Sequence, residues 1–106
     1  CEDMVKNKFY SHTSSVKGKA SLTDRLRLVD LYPLIYSENL SNVTVSPKSY
    51  SELAKKIVDA WMNSTKHKAN ILHPELKYLA CGIYNHKPNS KNQLNFLATQ
   101  NFSSSN

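Results

Sequence analysis

Trp61-Met-Asn-Ser-Thr-Lys-His-Lys-Ala-Asn-Ile-Leu72 is the stretch on which the reading of the fold turns. Just upstream, Ser49-Tyr-Ser-Glu52 has the spacing of a capping box, in which the serine hydroxyl accepts a backbone N–H three residues on and the glutamate reaches back. Leu53, Ile57, Val58 and Trp61 then share one stripe at helical spacing, which predicts a helix from Tyr50 to Asn63 with the tryptophan packed in the core. Ser64 is placed to cap a further short helix through Ile71, and Pro74 closes the region.

Working toward the N-terminus, Ser41 to Lys48 reads as a turn-rich connection containing Pro47, and Leu34 to Asn39 as a short extended segment carrying Glu38. Ser21-Leu-Thr-Asp24 is a capping box with Asp in the acidic position, followed by Leu22, Leu26 and Val29, so a helix is expected from Leu22 to Leu31, stopped by Pro33. Thr13 to Lys19 is a polar loop with Gly18, and Glu2 to Tyr10 reads as the end of a helix with Met4, Val5, Lys8 and Phe9 on one face. Toward the C-terminus, Tyr78 to Tyr84 and Leu94 to Phe102 are β-type runs separated by Asn85 to Gln93, and they should pair as an antiparallel hairpin. Leu79, Cys81 and Ile83 alternate onto one face, and Tyr78, Ala80 and Tyr84 onto the other. Helices followed by sheet make the fold class α+β, in one domain over residues 1–102, with 103–106 expected as a flexible tail.

The bulk properties narrow the function classes. A chain of 106 residues has room for one hydrophobic core, and 40% hydrophobic residues is the composition of a folded protein. The net charge is +6, but it comes from twelve scattered lysines and only two arginines, Arg25 and Arg27, so a dedicated nucleic-acid surface is not expected. No apolar run is long enough for a membrane span, and no signal segment opens the sequence. Cys1 and Cys81 allow one bridge at most, and Cys81 within its apolar run reads as a small core residue. Cys1 has two readings: the lipidated first residue of a mature bacterial lipoprotein, or a truncation point inside a helix already under way. The second is favoured, because a lipid anchor needs a flexible tether before the fold begins. Asn39, Asn42, Asn63 and Asn101 stand in glycosylation sequons, a frequency that a chain rich in Asn and Ser produces by chance.

His12, Glu38 and His67 each fall at or near an element boundary. Taken singly, each is more often structural than functional. Two imidazoles and a carboxylate are donor types that suit zinc, although positions 55 apart form no short metal motif. Equally, Glu38 can accept a hydrogen bond from one imidazole and fix its tautomer. Arg25 is expected to tie a loop to a carboxylate, Glu38 or Asp24. Ser64, three residues before His67, is more simply a helix cap than a nucleophile. His73 and His86 read as loop residues.

Phe9-Tyr-Ser-His12, Asp24-Arg25, Ser37-Glu-Asn-Leu40, the Trp61 to Leu72 block, Cys81-Gly-Ile-Tyr84 and Gln100-Asn-Phe102 occur in that order. The series resembles the CAP (SCP-like) superfamily of cysteine-rich secretory, antigen 5 and plant pathogenesis-related proteins, in its short bacterial branch, over nearly the whole chain. The resemblance implies an α-β-α sandwich with a small antiparallel sheet. It also implies a cleft in which His12, Glu38 and His67 hold three of four polar positions, with Asn39, Arg25 and Ser64 beside them. Ser64 stands where larger members carry an acid, Ser37 where a glycine is usual, and the family's first helix is absent. The function implied is a non-enzymatic binding or interaction module, extracellular or on a bacterial surface and monomeric. Its ligand would be a lipid, a sterol or a host molecule, it would have no nucleic-acid partner, and its membrane attachment would come only through an N-terminal lipid anchor. No cofactor is required on this reading; zinc, held by His12 and His67, is the metal the cleft would take. The alternative is a metal-assisted hydrolase with Glu38 as general base beside the two histidines, weakened by the lost second acid.

Overall fold

The computed structural model describes residues 1–46, 49–86 and 94–106. The element order is α1 (Glu2–Lys6), α2 (Leu22–Arg27), β1 (Tyr36–Val45), α3 (Tyr50–Met62), α4 (Thr65–Ile71), β2 (Tyr78–His86) and β3 (Leu94–Ser103). The three strands form one antiparallel sheet in the order β1-β3-β2. Successive residues of a strand point to opposite faces, so the register assigns every side chain a side. Glu38, Leu40, Thr99, Asn101, Ala80 and Gly82 share the face toward α1 and α2. Asn39, Ser41, Ala98, Gln100, Cys81 and Ile83 share the face toward α3 and α4.

The helical reading of the Trp61 region holds. Ser49 Oγ accepts from Glu52 N, and Leu53, Ile57 and Trp61 are buried against Val45, Phe96 and Ala98. Burying side chains of this size stabilises by about 1.5–3 kcal/mol each. The indole nitrogen of Trp61 also donates to the Leu40 carbonyl at 2.9 Å, joining the helix to β1 by a directed bond as well as by apolar contact. Val58, expected on the same stripe, is exposed and lines an apolar groove beside Ile83. On the opposite face a smaller cluster of Met4, Leu40 and Leu97 is covered by Cys1, Val5 and Phe9.

Several expectations are corrected. The segment expected to turn from Ser41 onward is strand as far as Val45, because β3 supplies a hydrogen-bonding partner along its whole length; Pro47 and Lys48 lie outside the described residues. β3 is thus the central strand and the expected hairpin is two-thirds of a sheet, its connecting loop from position 87 to 93 also outside the described residues. Helix α2 stops at Arg27, with Leu28 as its C-cap, and Asp30 adopts a left-handed φ of 57° before Pro33. Helix α1 ends at Lys6, and Lys8 is left-handed and exposed. His86 is the last residue of β2. Cys81 is exposed, since β2 is an edge strand, and Cys1 approaches the other face of that strand, so the two thiols are separated by the sheet. The tail is held further than expected: Ser103 is buried, and Ser104 and Ile35 exchange hydrogen bonds with one another.

Candidate functional site

β1 presents Glu38 and Asn39 to opposite faces, and each is the centre of a polar constellation. The Glu38 side chain is 7% exposed. A carboxylate so far removed from water needs partners for its charge and its lone pairs. Arg25 provides them: its Nη2 donates to both Glu38 oxygens, at 3.0 Å each. His12 Nδ1 meets Glu38 Oε1 at 3.0 Å, with its imidazole 59% exposed. One guanidinium nitrogen therefore holds the acid, and the histidine rests on it from the solvent side.

The other guanidinium nitrogen holds the loop. Arg25 Nη1 donates to the carbonyls of His12 at 3.1 Å, Lys19 at 3.2 Å and Ala20 at 3.5 Å. The planar fork of arginine suits this double duty, which the single point charge of a lysine would not perform. Helix α2, which carries Arg25, is fixed by a reciprocal capping box: Ser21 Oγ accepts from Asp24 N, and Asp24 accepts from Ser21 N. The Ser21 backbone N–H, with its hydroxyl, holds the Asp24 carboxyl below the usual carboxylate value. The loop closes through Ser14 N to the Ala20 carbonyl, and Lys19 Nζ bonds Asp3 Oδ2 at 2.9 Å. That bond holds the Asp3 carboxyl low as well.

On the other face Asn39 is fully buried, at 0% exposure. Its Nδ2 donates to the His67 carbonyl at 3.1 Å and to Gln100 Oε1 at 3.2 Å, and its Oδ1 accepts from Asn70 Nδ2 at 2.7 Å. The network fastens α4 to β1. Asn39 is therefore a buried clip rather than a residue that meets a ligand or a glycan, which corrects its place in the expected cleft.

Of the expected residues, the structure brings His12, Glu38 and Arg25 into direct contact. His67 is tied by its backbone, through Asn39, to the strand that carries Glu38, and among the described residues its imidazole has no hydrogen-bond or ion-pair partner. Among those residues no group of three or more His, Cys, Asp or Glu is placed to hold a metal ion, so His67 does not complete a ligand set with His12 and Glu38. Ser64 occupies the N-cap position of α4 with the extended backbone usual there, but without the expected side-chain cap bond. Arg25 takes Glu38 as its carboxylate, and Asp24 serves the helix cap.

Sequence reasoning missed Gln100 and Asn70, which complete the Asn39 network, and Asn101, level with Glu38 on the neighbouring strand. The available signal was the run of three consecutive polar residues, Thr99, Gln100 and Asn101, within β3, which the register divides so that Thr99 and Asn101 fall on one face and Gln100 on the other.

The model of the CAP, or cysteine-rich secretory protein, family matches residues 2–102. No curated protein matches significantly. Among solved structures, the chain is similar to the 1.5 Å crystal structure of an extracellular protein containing a SCP domain from Bacillus anthracis str. Ames, with a TM-score of 0.67 and 26% identity over 96% of this chain. The chain spans 28% of the length of that protein.

Proposed function

The chain belongs to the CAP (cysteine-rich secretory protein) family, and from that premise we propose that it is an exported binding module of a bacterium that captures its ligand without chemistry. The α+β fold agrees with the family and with the extracellular SCP-domain protein from Bacillus anthracis. The ligand meets the exposed imidazole of His12, with Glu38 and Arg25 as its support and His67 on the adjoining helix. A lipid or a molecule of a host is the class of ligand this reading favours.

The observation that carries the proposal is the state of Glu38. Both of its oxygens are engaged by Arg25, and one also by His12. A general base needs a lone pair aimed at the proton it removes. Glu38 is instead built in as a brace that orients the His12 ring, which leaves the opposite ring nitrogen for a ligand. Such bracing is how binding sites are held ready for a partner. A lipid anchor on Cys1 fits less well, because its Sγ lies against the Gly82 carbonyl at 3.3 Å and the Thr99 hydroxyl at 3.6 Å, where a lipidated sulfur would have to leave the sheet.

The test is mass spectrometry of small molecules and metals that co-purify with the exported protein and with its His12→Ala and Arg25→Ala variants. The proposal expects a bound species whose occupancy falls at least tenfold in both variants, with no turnover of generic ester or peptide substrates by the parent. Equal occupancy in all three proteins would remove the site, and hydrolysis abolished by Glu38→Gln would replace binding with catalysis.

A further inference from the structure

β2 is an edge of the sheet: β3 pairs with one side of it, and among the described residues no strand pairs with the other. An edge strand turns a row of peptide N–H and C=O groups outward, and the chemical match for such a row is another strand. Folded proteins guard their edges with lysine, proline or a charge that points inward. β1, the opposite edge, carries the buried charge of Glu38, and its Leu40 carbonyl takes the Trp61 indole. Tyr78 to His86 contains no Lys, Arg, Asp, Glu or Pro.

The unguarded strand is also apolar where it is bare. Leu79 is 55% and Ile83 53% exposed, and Cys81 between them is exposed as well. All three fall on the face toward α3 and α4, where Val58 and Ile83 wall the apolar groove.

What identifies the occupant is the strand's match to itself. A two-fold axis perpendicular to the sheet keeps each face on its own side, so in an antiparallel pair of β2 strands only residues of one face can stand opposite one another. Centred on Cys81, that pairing sets Leu79 opposite Ile83, Ala80 opposite Gly82 and Tyr78 opposite Tyr84. Apolar meets apolar, small meets small and aromatic meets aromatic, the combinations that stabilise cross-strand pairs. The next register in one direction sets Ile83 against Lys77, and in the other Leu79 against Asn85. The second copy's Leu79 would lie against Ile83, at the wall of the groove.

We infer that β2 pairs with β2 of a second copy, antiparallel about Cys81, to make one continuous six-stranded sheet in place of the monomer that the family resemblance implied. Main-chain bonds fix the direction of the strands, and the side-chain pairs select the register. Each copy carries a net charge of +6, which opposes association. The dimer is therefore reversible and strengthens as salt screens the repulsion, the reverse of a basic surface meeting an acidic partner.

The test is sedimentation equilibrium of the whole chain with its thiols kept reduced, loaded up to about 1 mM. The mass should rise from 12.0 kDa toward twice that value, with tighter association at higher sodium chloride. Ile83→Lys, at an exposed position, should weaken association at least tenfold while leaving the circular dichroism spectrum unchanged. Residues directly opposite in an antiparallel pair lie about 5 Å apart between Cα atoms, so a short bismaleimide should join Cys81 to Cys81 in a Cys1→Ser background. Ser15→Cys, on an exposed loop and with both natural cysteines replaced by serine, should not be joined. A monomer at every concentration would assign the edge to a strand of some other protein and overturn the inference. So would a dimer indifferent to Ile83→Lys, association weakened by salt, or cross-linking at Cys81 no greater than at position 15. Should Ile83→Lys not fold, Leu79→Lys takes its place, and undiminished association in that variant overturns the pairing.

Discussion

Glu38 and Asn39 are neighbours on one strand, yet they are buried by different physics. Toward α1 and α2, a charge is kept out of water by a guanidinium that also holds a loop. Toward α3 and α4, a neutral amide with 0% exposure satisfies its hydrogen-bonding groups from a helix carbonyl and two other amides, beside a core of Leu53, Ile57 and Trp61. One side is covered by two short helices; the other packs against the longest helix of the described residues, with an apolar groove left beside Val58 and Ile83. The difference teaches that one strand can divide labour between its faces, with an apolar core and an amide clip on one and a charged pair braced beside an exposed imidazole on the other.

Trp61→Ala should break the stable side most severely. It removes a buried indole and leaves the Leu40 carbonyl without its partner, and a loss of about 3–5 kcal/mol is expected in urea unfolding. Asn39→Leu comes next. It leaves the His67 carbonyl and the Asn70 and Gln100 amides short of partners, for a loss of about 2–3 kcal/mol by the same measurement. If that variant proved as stable as the parent, the amide clip would lose its role.

Changes on the other side should be smaller in stability and larger in local motion. Arg25→Lys keeps the charge but not the fork, and Arg25 is partly exposed, so a loss of about 1 kcal/mol is expected. Amide hydrogen exchange should accelerate selectively from His12 to Ala20, while α3 stays protected. Uniform acceleration would contradict the division between the faces.

Much of the stable side was legible in the sequence, because α3 announces itself through local rules: a serine cap and an apolar stripe with the period of a helix. β1 was less so. The side chains it turns toward α3 and α4 begin with Ser37, Asn39 and Ser41 and become apolar only at Val43 and Val45, so the burial of its first half rests on amide bonding that no hydrophobic alternation reveals. The contact of His12 with Glu38 was suggested by resemblance, and the role of Arg25 by its rarity. The coordinates of the loop relative to Glu38 depend on three carbonyls, which every residue type possesses and no sequence pattern marks. Cys81 was misjudged because a strand's apolar run does not say whether it lies at an edge.

The smallest effect concerns acid. The Asp24 carboxyl is held low by the Ser21 N–H and hydroxyl, and the Asp3 carboxyl by the Lys19 ammonium. A carboxyl depressed on folding supports the fold at pH above its unfolded value near 3.8 and loses that support as pH falls through the lower folded value. Carbon-detected NMR titration should place both midpoints below 3.8. Ser21→Ala should return Asp24 toward that value, leave Asp3 in place, and cost about 0.5–2 kcal/mol of stability at neutral pH through the lost cap.

The grip of Arg25 on main-chain oxygens carries a consequence for how this surface can diversify. Peptide carbonyls are the same whatever side chain they follow, so the shape of the loop from Ser11 to Ala20 is decoupled from most of its chemistry. Outward-facing positions such as Thr13, Ser15 and Lys17 are therefore free to be re-lettered without disturbing the frame beneath them. A scaffold of that kind can change what it displays to the outside world while the arginine keeps the display in place.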